Sequence, residues 1–325
     1  MTTGQQYGRK ATLIIQRPDH LVKSTKERVP ESNLDLSQFH FTFKTVQQDV
    51  ESPSNCTVRV FNLSRDTVDG IIKTEYQKLV LQAGYENNYG VIFQGNIKAY
   101  KTGRIDAVTT YLDILAADGD EAYNYAILRQ SLAAANTGAK DQVEAMVQSM
   151  KEHGVVLGKF VDPPSGGTNP RGKVLFGMGR VILRQFVRSI GSTWSISNGQ
   201  VNIIPLESYL PGEAVVLSHL TGLVGIPEQT ENGVKVRALL NPKIVVGGLI
   251  QIDQNSVNKQ VQQSPEAAPV PFNSYTGIQL LASITSDGVY RVFVAEFSGD
   301  TRGQDWYVDI TALSIDRSTD LVQVQ

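Results

Sequence analysis

Tyr111-Leu112-Asp113-Ile114-Leu115-Ala116 returns near the C-terminus as Tyr307-Val308-Asp309-Ile310-Thr311-Ala312. Both follow the order tyrosine, aliphatic, aspartate, isoleucine, any residue, alanine, inside alternating stretches that read as strands. Each closes a series of strand-like segments: Val58-Arg59-Val60-Phe61-Asn62-Leu63 precedes the first, and Val236-Arg237-Ala238-Leu239-Leu240-Asn241 the second. A repeat about a domain long that occurs twice predicts two related β-domains rather than a solenoid. Tyr111 is thus expected to be equivalent to Tyr307, and Asp113 to Asp309. That shared position serves either the core of each domain or a contact between neighbouring domains. An aspartate buried in an apolar strand needs a partner, and a hydrogen bond to a turn backbone is expected.

Working outward, residues 1–120 read as a first β-domain. Thr12–Gln16 is a short apolar run, Phe39, Phe41 and Phe43 alternate with polar neighbours, and Val58 and Val60 do the same. Ser64 is placed to N-cap a short helix with Val68, Ile71 and Ile72 on one face. Lys78–Tyr85 returns to strand, residues 86–90 are turn chemistry, and Val91–Tyr100 pairs with Val108–Ala117 around Thr102-Gly103-Arg104.

Between residues 121 and 210 the period changes to that of helices. Val143, Met146, Val147 and Met150 mark one amphipathic helix, ended by Gly154. After a Pro/Gly-rich loop, a second carries Met178, Val181, Ile182, Phe186, Val187 and Ile190, with Gly191 beyond its end. Ser197-Asn198-Gly199-Gln200 between two apolar triplets predicts a hairpin with Asn-Gly at its turn. This is a small α/β module. Residues 211–325 resume strands as a second β-domain, with a long inserted surface loop at 254–275 and a polar, frayed tail at 317–325. The fold class is mainly β with an α+β middle.

Composition narrows the function. The 325 residues carry 30 basic and 32 acidic side chains, a net charge of -2, which gives no general attraction to nucleic acid. No run of about 18 apolar residues predicts a membrane span. A single cysteine, Cys56, fits folding in a reducing cytoplasm.

Chemistry-bearing motifs are weak. Gly177-Met178-Gly179 opens a helix, but Ile182 stands where a dinucleotide fingerprint needs its third glycine. Asp118, Asp120 and Glu121 lack calcium-loop spacing and read as a solvated turn. His20, His40, His153 and His219 are scattered, so no zinc site is legible, and Cys56 reads as a packing residue. No catalytic, cofactor or metal residue is assigned. Arg180, Arg184 and Arg188, at i, i+4 and i+8, form a basic stripe that reads as a solvated helix face, with contact to an acidic neighbouring subunit as the alternative.

Gly222 to Thr230, Gly233 to Pro242 and the phrase Gly299-Asp300-Thr301-Arg302-Gly303-Gln304-Asp305-Trp306-Tyr307 resemble the tail baseplate hub proteins of bacteriophages. Val58 to Ser64, Leu81 to Tyr85 and Ile92 to Gly95 are similar to the same family, so the resemblance spans nearly the whole chain. It implies two β-barrel-like tube domains per chain flanking the α/β module, and a homotrimer forming a pseudo-sixfold ring. Such a ring adapts a hexameric tail tube to a trimeric central spike and continues the DNA channel. The implied partners are copies of the chain, the tube and spike proteins, other baseplate proteins and the tape measure, with no sequence-specific nucleic-acid binding. The implied location is the virion tail baseplate, after synthesis in the host cytoplasm. The rivals are a tail-tip cell-wall hydrolase, for which no segment is left over, and a glycan- or receptor-binding β-protein. The latter requires Tyr85, Tyr89, Tyr100 and Trp306 to line an exposed groove.

Overall fold

The computed structural model describes residues 8–17, 20–21, 28–29, 32–49, 51–74, 77–132, 138–163, 171–230, 233–252 and 288–314. The first third runs β1 (Arg9–Arg17), β2 (His20–Leu21), β3 (Arg28–Val29), β4 (Ser32–Asp35), β5 (Phe41–Gln48), β6 (Asn55–Phe61), α1 (Arg65–Lys73), β7 (Lys78–Tyr85), β8 (Asn88–Arg104) and β9 (Thr110–Ala117). Alternation sets the faces: Phe41, Phe43 and Thr45 of β5 point inward with Cys56, Val58 and Val60 of β6. Phe39 falls outside the strand, in a turn closed by its N–H on Leu36 O (3.1 Å). Ser64 caps α1 by accepting from Thr67 N–H at 3.1 Å. Ile71 is buried there, whereas Ile72, one residue further around the helix, is 44% exposed.

Two turns fall elsewhere than the composition suggests. The β7–β8 turn is only Glu86–Asn87, because Tyr85 already pairs with Asn88. The β8–β9 turn lies at residues 105–109, where Asp106 Oδ1 accepts from Val108 N–H (2.9 Å) and Thr109 N–H (2.7 Å). Thr102, Gly103 and Arg104 stay in the ladder opposite Leu112, Tyr111 and Thr110. An aspartate that bonds its own downstream backbone outcompetes the glycine as the turn signal.

The middle third contains α2 (Asp120–Tyr125), β10 (Ile127–Leu132), α3 (Ala139–Lys151), β11 (Val156–Phe160), β12 (Lys173–Met178), α4 (Gly179–Ser189), β13 (Ser192–Ser197) and β14 (Gln200–Pro205). Val143, Met146, Val147 and Met150 of α3 pack with Leu183, Phe186 and Val187 of α4 and with Trp194 in a core of their own. Asn198 (φ 53°) and Gly199 (φ 74°) both adopt the left-handed region that a two-residue hairpin turn requires.

The last third adds β15 (Val215–Leu217), β16 (Leu223–Thr230), β17 (Gly233–Leu239), β18 (Leu249–Ile252), β19 (Val289–Asp300) and β20 (Trp306–Ser314). The expected inserted loop at 254–275 and the tail at 317–325 lie outside the described residues. Strands from the first and last thirds meet in one 13-stranded sheet whose main path is β16-β17-β20-β19-β5-β6-β9-β8-β7-β1-β4. The junction is antiparallel pairing of β5 with β19 over Thr42–Gln48 and Val294–Asp300. Phe41, Val58, Ile114, Phe297, Val308, Val236 and their neighbours share one apolar core. The architecture is mainly β, antiparallel in its large sheet apart from the parallel β15–β18 pair, with a small helical component. Because side chains alternate, the residues between these core positions, among them Arg59, Asp113, Glu296, Asp309 and Arg237, share the sheet's other side.

Candidate functional site

The repeated phrase sits at equivalent positions in the sheet. β9 pairs with β6 so that Asp113 stands opposite Arg59 and Tyr111 opposite Phe61. β20 pairs with β17 so that Asp309 stands opposite Arg237 and Tyr307 opposite Leu239. Each arginine grips its aspartate with two parallel bonds: Arg59 Nε to Asp113 Oδ1 at 2.6 Å and Nη2 to Oδ2 at 2.9 Å, and Arg237 to Asp309 at the same two distances. Each guanidinium also lies over the tyrosine of its own repeat, 4.4 Å from the Tyr111 ring centre and 5.6 Å from that of Tyr307. The bond to Asp113 raises the pKa of Arg59, and that to Asp309 raises Arg237, so both guanidiniums stay charged. The expected partner of Asp113, a turn backbone, is replaced by this cross-strand guanidinium. The signal was present in the sequence: Val58-Arg59 and Val236-Arg237 occupy matching places in the segments that precede the two phrases.

The forks differ in cover. Asp113 is 10% exposed and Asp309 42%. Beyond Asp113 the next strand places Lys101 directly opposite, whereas beyond Asp309 it places Glu296. Lys44 of β5 offsets that clash of like charges by reaching Glu296 at 3.1 Å.

The arginine stripe of α4 faces its own chain, which corrects the solvated-face reading. Arg188 binds both carboxylate oxygens of Glu51 at 2.9 Å, and Arg184 Nε lies 2.7 Å from Glu51 Oε2. Glu51 sits in the β5–β6 connection, so the stripe docks the α/β module on the sheet. Arg180 instead stabilises α2, donating to Tyr123 O (3.0 Å) and Asn124 Oδ1 (2.8 Å) with its guanidinium over the Tyr123 ring.

The acidic cluster is also not a solvated turn. Asp118 is buried and accepts from Gly199 N–H at 2.9 Å, which ties the end of β9 to the tip of the β13–β14 hairpin. Burial raises its pKa to about 7, against the lowering effect of Gly199, Asn198 and Lys78. Asp120 is drawn away to Lys98 at 3.0 Å. Beside this contact, Pro53 bridges to Ile196 and Asp118 N–H donates to Ser54 O (2.9 Å).

Arg291 was missed by the sequence reading, although a charge inside Val289-Tyr290-Arg291-Val292 was its signal. It is buried, pairs with Asp49 at the end of β5, and donates to the carbonyls of Pro205 (3.1 Å), Leu206 (3.0 Å) and Ser208 (2.8 Å). First sheet half, second sheet half and module exit therefore converge on one side chain.

At one end of the sheet, Gln38, Phe39, His40, Phe61, Asn62, Thr109 and Arg302 line a groove of about 460 Å³. His40 stacks on Phe61 (4.4 Å between rings) and its Nε2 lies 2.8 Å from Asp300 Oδ1. Burial pushes the Asp300 pKa up, but bonds from Arg302 N–H, His40 and Gly303 N–H outweigh it and leave it lowered. The four aromatic residues that a glycan groove would need do not form one: Tyr85 and Trp306 are buried, Tyr89 bonds to Thr12, and Tyr100 donates to Gln77 Oε1 at 3.3 Å. Cys56 is buried, and its thiol is pushed up to about 12, which removes it as a nucleophile at neutral pH. Among the described residues no three His, Cys, Asp or Glu side chains gather as a metal site. No described helix is long and apolar enough to cross a membrane.

No protein-family model and no curated protein matches the sequence. Solved structures do match the fold. The 43 kDa tail protein of prophage MuSo2 from Shewanella oneidensis superposes with a TM-score of 0.55 at 7% identity, over 94% of this chain and 98% of that one. A tail protein from Neisseria meningitidis MC58 gives 0.55 at 7% identity, over 96% and 98%. An E. coli component of the type VI secretion system, described as similar to the bacteriophage T4 tail proteins gp27 and gp5, gives 0.52 at 10% identity, over 86% and 74%. At such low identity the likeness speaks for architecture alone. The chain is built on the fold of these phage tail and type VI secretion proteins.

Proposed function

We infer that this chain is a structural subunit of a phage tail baseplate hub: three copies form a ring with two equivalent positions per chain, joining the tail tube to the central spike and continuing the DNA channel. One observation carries the reading. The Arg59–Asp113 and Arg237–Asp309 forks occupy the same place in two strand pairs of one sheet, each over its own tyrosine. A chain that presents the same surface twice gives a threefold assembly sixfold character, which a hexameric tube requires on one side and a trimeric spike does not on the other. The tail-protein fold supports the same role and a place in the virion tail.

In this reading residues 1–120 and 211–325 are the two tube domains and residues 121–210 the module between them. The work is mechanical continuity, and the chain is not an enzyme. Its fixed charges serve folding: Arg184 and Arg188 hold the module by Glu51, and Arg291 locks the junction. Partners in this reading are further copies, the tube and spike proteins, other baseplate proteins and the tape measure. Light scattering behind size exclusion tests this. A mass near three times 35.6 kDa for the chain alone, or that mass plus the bound spike when the spike protein is added, is the expected result. A stable dimer overturns it, because neither a threefold nor a pseudo-sixfold ring follows from that symmetry.

A further inference from the structure

The polar side of the long sheet holds two arginines and a lysine in local ion pairs. Arg59 and Arg237 are forked onto Asp113 and Asp309 at 2.6 Å, and Lys44 reaches Glu296 at 3.1 Å. The strand register then sets Lys101 opposite Asp113 and Lys235 opposite Glu228. These residues share one face, because each pair is directly opposed on neighbouring antiparallel strands. The face thus runs from β16 across to β8 with Arg59, Arg237 and Lys44 each held by a carboxylate, although Arg237 and Lys44 are more than half exposed.

A protein holds a polyanion by offering it free cations, and each phosphate neutralised releases counterions. A guanidinium bound through Nε and Nη2 to a carboxylate forms a pair with no net charge, and it has spent its best-matched pair of donors. The tyrosine beneath each guanidinium covers one of its faces as well. Unpaired, the same two arginines would be good phosphate ligands, being exposed, planar and always charged.

We propose that Asp113 and Asp309 silence Arg59 and Arg237 toward nucleic acid, so that this face can border a passing duplex without adhering to it. The proposal rests on the channel reading above and adds which face meets the nucleic acid and which side chains keep it from sticking. A lining rich in aliphatic residues would also avoid adhesion, but it would leave apolar surface facing the water of the channel, which is unfavourable. Paired charges keep the surface wet and remove the two guanidiniums from its net charge.

The test is fluorescence anisotropy of a labelled duplex DNA of random sequence against the full chain, with light scattering on the same samples. Wild type is expected not to bind. The Asp113→Asn/Asp309→Asn variant is expected to bind, and to lose about tenfold in affinity between about 50 and 200 mM salt, the slope for two freed cations. Asp309→Asn alone, at the more exposed fork, keeps the test valid where the double variant folds poorly, and should show about half that slope on a logarithmic scale. A folded variant that gains no binding overturns the proposal, as does wild type binding as tightly as the variant. Gain of binding in a chain that forms only dimers upholds the silencing role and overturns the channel reading instead.

Discussion

Arg291 of β19 and Asp49, just beyond β5, form an ion pair sealed inside the protein, with side-chain exposures of 6% and 2%. Strand β19 belongs to the last third of the chain and β5 to the first, and these two strands also make the junction of the long sheet. Burial raises the Asp49 pKa, against the opposing charge and hydrogen bond of Arg291. Among the described residues Asp49 Oδ1 and Arg291 Nε have no hydrogen-bond partner, so the pair does not recover all of its desolvation cost. What it fixes is the meeting of three segments, through carbonyls of Pro205, Leu206 and Ser208.

Arg291→Met should therefore be severe. It leaves a buried carboxylate unpaired and three carbonyls without their donor, a loss of about 3–5 kcal/mol in urea unfolding. Adding Asp49→Asn should recover at least about 1 kcal/mol, since the stranded charge is gone. Strict additivity of the two changes would show that the residues are not energetically coupled.

Asp118 makes stability depend on pH. Its pKa rises from 3.8 in the unfolded chain to about 7 in the folded one, so the folded state binds the proton more tightly. The contribution is fully present below the unfolded value and is lost as pH climbs from about 4 to about 7. At about 1.4 kcal/mol per unit, the loss is at most about 4 kcal/mol. Asp118→Asn cannot titrate and its Oδ1 can still accept from Gly199 N–H. Urea midpoints at pH 5 and pH 8 should thus fall more in wild type than in the variant, whereas parallel curves would assign the titration elsewhere.

The two forks should differ in energy although their geometry matches. Asp113 is the more covered, so Asp113→Ala strands Arg59 and should cost about 2–3 kcal/mol. Asp309→Ala acts on a half-exposed pair and should cost about 0–1 kcal/mol. Thermal unfolding of both variants decides this, and a reversed order would show that burial does not set the value of the fork.

Glu51 answers for two arginines. Glu51→Gln removes the charge that Arg184 and Arg188 share and should destabilise the chain by about 1–2 kcal/mol. The change should also loosen the module from the sheet, seen as faster limited proteolysis of the β5–β6 connection that carries Glu51. Unchanged cleavage there would mean that Asp118 and the Pro53–Ile196 bridge hold the module without the clamp.

Much of the architecture was legible. The β5, β6, β7 and β19 strands, the α3 and α4 helices and the Asn198-Gly199 turn follow from alternation, helical spacing and turn residues, because backbone geometry itself sets those periods. The equivalence of Tyr111 with Tyr307 and of Asp113 with Asp309 followed from the repeated phrase, and the structure places both pairs at matching positions. Turn position was less legible: Gly103 reads as a turn but lies in the ladder, since Asp106 supplies the hydrogen bonds that close it.

Partners of charged residues were decided by the tertiary structure. Asp113 and Arg59 are 54 residues apart, Arg188 and Glu51 137, and Arg291 and Asp49 242. A periodic pattern reports which face a side chain occupies, and a helix stripe of arginines looks the same facing water or facing Glu51. Charge pairing depends on which element becomes the neighbour, and for Arg291 and Asp49 that is settled by the joining of β5 to β19. By itself the sequence determined the strands, the helices and the repeat, all local in origin. The docking of the module, the buried Asp118 and the sealed Asp49–Arg291 pair arose only when distant segments were brought within bonding distance, where desolvation and geometry select the partner.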